Sequence, residues 1–367
     1  TVYYYVDEDL NIKTVVGYKN TVDVVGSIVG INAMYAVATN VSSDASSAKY
    51  WVADVIVIET EVPAFNLNDD VVLGYKTPEG YFYDGPAMGK SVGRFANRIA
   101  FGKLEIEGEK YQLEVNCGRN HLHGGTKNFA NRVWESRVET NRVVMSLTSE
   151  DGDQRFPGEM NVEAIFDFDE ENQLEITYLA KTDRTTVVNL TNHVYFNLDG
   201  ENAGTIHDHE LQLNTSRTLE MNDNQIPTGE WLDVKGTAQD FLEFRRIGDG
   251  LDAEFNHIRD FKGYDHPFPI DGWKLHILGE VGALRSQKSG RMVKVLSSQP
   301  SVMVYTGNWL SGGCPITKSG GRYEDYAGVA IECQVHPDAV NQPDFPSILL
   351  HEGELYCNKI VFQLRTY

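Results

Sequence analysis

Five short segments of the chain concentrate asparagine, histidine, arginine, acidic and aromatic residues: GRFANRI (93–99), NHLHGG (120–125), NLTNHVYFN (189–197), GYDHP (263–267) and IECQVHPDAVNQ (331–342). Side chains of these types hold rings of hydroxyl groups. Asn, Asp, His and Arg pair with the hydroxyls, and an aromatic ring packs under the apolar face of a sugar. The same segments carry groups that move protons. A histidine titrates at about 6.5 and a glutamate at about 4.3, so environment can bring either close to neutrality. Each such group contributes on the order of 10²–10⁴-fold to a rate when its pKa lies near the working pH.

Taken singly, these residues admit blander readings. His193 is flanked by Val194, Tyr195 and Phe196, a setting in which a histidine is commonly a satisfied core residue. Glu332 lies in the apolar run Val329-Ala-Ile-Glu-Cys333, where an unpaired carboxylate is costly to bury. A salt bridge is the expectation there, with Arg98 as the candidate partner. Arg94 and Arg98 are both surface charges or one points inward, and Arg98, following Asn97 among Phe95 and Ile99, is the better inward candidate. His123 adjoins the two glycines of NHLHGG, whereas His121 reads as structural or solvent-facing. His207-Asp-His209 has no third ligand at metal spacing and reads as a surface loop. Trp309 is either a stacking platform or plain core.

The elements that must position these residues are strands. Tyr111–Val115, Val143–Leu147, Val162–Phe168, Leu174–Tyr178 and Leu211–Leu213 place apolar residues at every second position, the pattern of half-buried strands. Turn pairs such as Glu107-Gly108, Asp271-Gly272 and Ser289-Gly290 separate such runs. No long amphipathic helix is visible. The fold class expected is all-β, a large antiparallel sandwich with little helix. One domain spanning 1–367 is expected, with residues 1–70 forming atypical strands and loops at its start.

Composition removes other function classes. The formal net charge is −21, from 53 acidic against 32 basic residues, which argues against nucleic acid and anionic membranes as partners. No run of 18 apolar residues exists. The four cysteines, Cys117, Cys314, Cys333 and Cys357, are far apart with no CxxC pair, so neither a zinc site nor a disulfide scaffold is expected. The first residues show no basic stretch leading into an apolar core, and a cytoplasmic location is the expectation.

The motifs GRFANRI, NHLHGG, NLTNHVYFNL, IPTGEW, YTGNWL and ECQVHPDAVNQPDFP, in this order from about Val72 onward, resemble the successive motifs of the galactose mutarotase (aldose 1-epimerase) family. The resemblance implies a β-sandwich with an open sugar cleft, no metal and no cofactor. It implies interconversion of the α and β anomers of a free monosaccharide, a hexose such as galactose or glucose. His193 would be the acid that protonates the ring oxygen and Glu332 the base that takes the anomeric proton. Asn97, Arg98, His123 and Asp265 would hold sugar hydroxyls or polarise the reacting end. Acid and base are then expected on opposite sides of the cleft, several ångströms apart, with a pyranose between them. One position departs from the family pattern. A glutamine is common two residues before the tyrosine of YTGN, and here that place is Met303. Met303 and Trp309 are therefore candidate substrate contacts, and a methionine in place of an amide bears on which sugar is preferred. Two alternatives remain: an epimerase of hexose 6-phosphates and a non-catalytic sugar-binding protein. Oligomeric state is not legible.

Overall fold

The structure is a computed structural model that describes residues 70–367, except 140, 141 and 170 and the side chain of residue 83. Before residue 70 it describes only the backbone of five strands, Val2–Val6, Ile12–Val16, Ile31–Ala38, Val52–Val62 and Leu67–Asp70. The loops expected within residues 1–70 lie outside the described residues.

Alternating apolar residues build one dominant sheet of nine antiparallel strands. Its order is Glu135–Glu139, Arg142–Ser149, Met160–Phe168, Gln173–Thr182, Tyr356–Thr366, Arg291–Ser297, Gly279–Ser286, Glu210–Leu213 and Arg245–Arg246. Along Met160–Phe168, Met160, Val162, Ala164 and Phe166 are buried while the residues between them are partly or wholly exposed. Period two in the sequence thus becomes an inner face. The turn pairs fall where the sequence put them. Glu107 and Gly108, at φ 52° and 85°, close the hairpin between Lys103–Ile106 and Glu109–Gln112. Among the described residues there is no α-helix, only short 3₁₀ turns, and no helix is long and apolar enough to cross a membrane.

The second sheet has four antiparallel strands, in the order Tyr195–Phe196, Val329–Gln334, Ser301–Tyr305 and Asp265–Pro269. Its Phe196, Phe268, Val302, Val304, Val329, Ile331 and Cys333 share one core with Val162, Phe166, Ile176, Ile360 and Phe362 of the larger sheet. Phe196 and Phe362 meet edge to face at 5.2 Å across the two layers. All six residues of Val329–Gln334 are buried. Val329, Ile331 and Cys333 face the sandwich core, so Ala330, Glu332 and Gln334 are turned to the other side of the small sheet. That outer side is where the candidate site lies.

Candidate active site

Strand register decides which side chains stand together. Met303 is directly opposite Glu332 on one side and Pro267 on the other, and Tyr305 is opposite both Ala330 and Asp265. Residues directly opposite in an antiparallel pair share a face. Glu332, Met303, Tyr305 and Asp265 therefore all stand on the outer face of the small sheet. Above it is a cleft of about 280 Å³, lined by Asn97, Arg98, His123, His193, Gln225, Asp265 and Glu332 among its polar residues, and by Tyr195, Tyr305 and Trp309.

His193 occupies the break between the short strands Thr191–Asn192 and Tyr195–Phe196. Its backbone is pinned on both sides: its N–H donates to the Lys90 carbonyl (2.9 Å), and its carbonyl accepts from Gly89 N–H (3.0 Å). The imidazole lies 4.9 Å from the Tyr195 ring and 5.6 Å from the His123 ring. His193 Nε2 is 3.3 Å from Glu332 Oε1, and both side chains are nearly enclosed while lining the cleft. His193 Nδ1 and Glu332 Oε2 are buried with no hydrogen-bond partner among the described residues.

Burial pulls His193 down from the usual imidazole value to about 4. Burial likewise holds Glu332 well above the carboxylate range, with the charge of Asp265 adding to the rise and that of Arg98 opposing it. Their contact works in the other sense, because a 3.3 Å separation favours imidazolium beside carboxylate. The two influences disagree only about which atom holds the proton. Both favour a pair that carries one proton in total, since adding a second or removing the first leaves a net charge in a dry place.

Asn97 and His123 are placed by left-handed backbone. Asn97 (φ 68°) turns its Oδ1 to accept from Arg98 N–H at 2.8 Å. Its own N–H donates to His123 Nδ1 at 3.1 Å. That bond makes Nδ1 an acceptor, so neutral His123 carries its hydrogen on Nε2. Burial keeps it neutral, helped by the charges of His193 and Arg98. Gly124 follows at φ 89°, where a β-carbon would meet the Gly93 carbonyl oxygen at 2.1 Å. NHLHGG and GRFANRI thus dock backbone to backbone, and the glycine allows the approach.

The fourth corner is a chain of three side chains. Arg98 Nη2 donates to Gln225 Oε1, and Gln225 Nε2 donates to Asp265 Oδ2 at 2.7 Å. Arg98 and Asp265 are 3.7 Å apart directly. Trp309 stands on the rim with 59% of its surface exposed, and Lys262 Nζ is 3.8 Å from its ring centroid.

The family model described as aldose 1-epimerase matches residues 57–363. The chain belongs to the aldose 1-epimerase family. It is 41% identical to a galactose mutarotase of Bos taurus over 289 residues, 78% of this chain and 81% of that one. It is 35% identical to an aldose 1-epimerase of Escherichia coli K12 over 301 residues, 80% and 84% of the two chains. The crystal structure of an aldose epimerase homologue from C. elegans superposes with a TM-score of 0.78 at 28% identity, covering 91% of this chain and 99% of that one.

Within this family member the structure brings His193, Glu332, Asn97, Arg98, His123, Asp265 and Trp309 to one cleft. Three expectations need correction. His193 and Glu332 do not face each other across the cleft with room for a pyranose between them; they touch, because the chain around His193 runs beside the Glu332 strand and pairs with it at Tyr195↔Ala330. Arg98 does not pair with Glu332; its contacts are Gln225 and Asp265. Met303, a candidate substrate contact, is 1% exposed and does not line the cleft. It has the right face but the wrong depth, lying in the floor beside Glu332.

Smaller differences follow the same logic. Arg94 is buried as well as Arg98, but away from the cleft: it donates to the carbonyls of Pro157 and Gly158 and to Ser149 Oγ. His121 is fully buried and structural, with Nδ1 2.8 Å from the Glu114 carbonyl. His209 is no surface residue; its Nε2 accepts from Leu198 N–H at 2.9 Å. Sequence reasoning missed Gln225, Tyr195 and Tyr305 as cleft residues. Gln225 directly precedes the IPTGEW motif and Tyr305 opens YTGNWL, so their adjacency to recognised motifs was the available signal.

Proposed function

We propose that the chain is an aldose 1-epimerase that interconverts the anomers of a free monosaccharide, with Glu332 as base and His193 as acid. The observation that carries this reading is the His193–Glu332 contact in the floor of a cleft ringed by hydroxyl-binding side chains. Glu332 takes the proton from the anomeric hydroxyl while His193 gives one to the ring oxygen. The bond between C1 and the ring oxygen breaks, and C1 becomes an aldehyde. Rotation about C1–C2 and reclosure from the other face, with the two proton transfers reversed, deliver the other anomer. No net proton enters or leaves, which matches a pair that carries one proton throughout. Neutral His123, with its hydrogen on Nε2, supplies a donor without a charge. Asn97, Arg98 and Asp265 hold ring hydroxyls.

The reading favours free sugars over hexose phosphates. Arg98 is the only arginine or lysine lining the cleft among the described residues, and it is already engaged by Gln225 and Asp265. A phosphate calls for an uncommitted cationic cluster. A non-catalytic sugar binder has no use for a buried acid–base pair that shares one proton. Polarimetry of freshly dissolved α-glucose and α-galactose tests the proposal. Acceleration well beyond buffer is expected, and a rate equal to buffer at micromolar protein overturns it.

A further inference from the structure

Gln225 is a cleft residue whose presence neither the acid–base chemistry nor the resemblance explains. It sits in a tight turn at φ 57°, with Gln225 N–H donating to the Asn222 carbonyl at 2.9 Å, so the turn rather than the strands aims its side chain. Its amide reads both neighbours at once, accepting from Arg98 and donating to Asp265. An amide nitrogen carries two hydrogens, and the one bound to Asp265 leaves the other for the cleft that Gln225 lines.

Arg98 and Asp265 form a long ion pair at 3.7 Å, and without the amide that bridges them they would close to direct hydrogen-bonding distance. A direct ion pair would saturate the carboxylate and the guanidinium that should meet sugar hydroxyls. Gln225 keeps them as neighbours linked through a neutral group, each retaining capacity for a ligand. Asp265 lies on the edge strand, two strands across from the strand of Glu332, which is a spacing of about 9–10 Å at the backbone. With the anomeric carbon over His193 and Glu332, Arg98, Gln225 and Asp265 meet hydroxyls on the far side of the ring. Those are the positions at which aldoses differ from one another.

We infer that Gln225 is a specificity-determining residue of this cleft: it holds Arg98 and Asp265 apart as sugar ligands and offers its free amide N–H to a hydroxyl remote from the anomeric carbon. The inference rests on the epimerase reading for the orientation of the sugar, but its test does not depend on turnover. Two variants are compared with the parent protein, Gln225→Leu and Gln225→Glu. The readouts are kcat and KM by polarimetry for glucose, galactose and their 2-, 3- and 4-deoxy analogues, and the dissociation constants of the same sugars by calorimetry. In Gln225→Leu, KM and the dissociation constant for the preferred hexose rise about two- to tenfold while kcat changes less than twofold. One remote deoxy analogue, which lacks the partner hydroxyl, loses affinity in the parent and loses no more in the variant. In Gln225→Glu the carboxylate repels Asp265, and affinity falls at neutral pH. Affinity recovers as the pH is lowered, because a protonated carboxyl again has one donor and one acceptor. Unchanged affinity for every sugar overturns the inference. So does a parallel fall of kcat and affinity with a lowered melting temperature and no recovery of Gln225→Glu at low pH, which marks a purely structural role. If the parent binds sugars but does not epimerise them, the functional reading fails while the binding arm still decides the role of Gln225.

Discussion

His193 Nε2 stands 3.3 Å from Glu332 Oε1, so the proposed acid and base are neighbours on the cleft floor rather than opposing walls. A sugar must lie over the pair, with its anomeric hydroxyl and ring oxygen, themselves bonded to one carbon, reaching two adjacent protein atoms. That geometry suits the reaction, because the two proton transfers occur at oxygens that share C1. Glu332→Gln keeps the shape and removes the proposed proton acceptor. We expect kcat to fall about 10²- to 10⁴-fold, with sugar affinity by calorimetry changed less than severalfold. Full activity in that variant would place the base elsewhere.

The pH profile follows from the shared proton. The proposed mechanism needs the pair with one proton. Burial draws His193 down to about 4, so a second proton is taken up, and activity lost, only as the pH falls toward that value. Burial holds Glu332 well above the carboxylate range, so loss of the single proton is deferred on the alkaline side. The expected kcat/KM profile is a plateau wider than the interval between an ordinary glutamate and an ordinary histidine, measured by polarimetry with buffer catalysis subtracted. A narrow bell with limbs at about 4.3 and 6.5, the free-residue values, would show that the pair is far more hydrated than its burial implies.

Stability responds with a defined sign. Glu332 is raised in the folded protein, so the unfolded chain gives up that proton first. Folding is therefore penalised increasingly as pH climbs from the unfolded glutamate value toward the folded one. Glu332→Gln removes this penalty. Its melting temperature relative to the parent should rise between about pH 4.3 and neutrality, by differential scanning calorimetry. His193 contributes the opposite limb: depressed in the fold, it stabilises above the unfolded value of about 6.5, and that contribution is lost as pH falls toward 4. A melting difference that is flat with pH would mean Glu332 titrates normally.

The close docking of the two glycine-bearing segments gives a mutational contrast. Gly124→Ala must push a β-carbon into the Gly93 backbone, whereas Gly108→Ala has nothing within 4 Å and only its positive φ against it. Both should lower the melting temperature, Gly108→Ala by about 1 kcal/mol of stability and Gly124→Ala by more, about 1–3 kcal/mol or beyond. Only Gly124→Ala should also raise KM, because it displaces the Asn97–His123 pairing. Equal KM values in the two variants would separate that docking from sugar binding.

Period two, turn glycines and motif order made the sandwich and much of the cleft legible in the sequence. Alternation in Val329–Gln334 even tells that Glu332 faces away from the core once Ile331 and Cys333 are given to it. Depth was not legible. Met303 and Glu332 share a face by register, yet only the carboxylate reaches the cleft, and nothing in a linear pattern separates the two. Nor was the partner of Arg98 legible, since Gln225 is 127 residues away and is aimed by a turn whose left-handed residue is not a glycine. The contact between His193 and Glu332 depends on a crossing of segments that share no motif.

Met303 therefore calls for a different experiment from the one its place beside YTGN suggests. It is 1% exposed, directly opposite Glu332, and Glu332 Oε2 is buried without a partner. Met303→Gln puts an amide N–H beside that oxygen in a side chain of similar length. A hydrogen bond to the ionised carboxylate favours it, so the raised pKa of Glu332 should come down. The alkaline limb of kcat/KM then moves to lower pH, while KM for the preferred hexose stays within about twofold because the side chain does not line the cleft. The rest of the amide is left poorly partnered in the floor, so stability should fall by about 1–3 kcal/mol. Met303→Leu supplies the control, matching the apolar bulk without a donor, and should leave the limb in place. If Met303→Gln instead lowers KM severalfold with the alkaline limb unmoved, position 303 touches the sugar and the depth assigned to it is wrong.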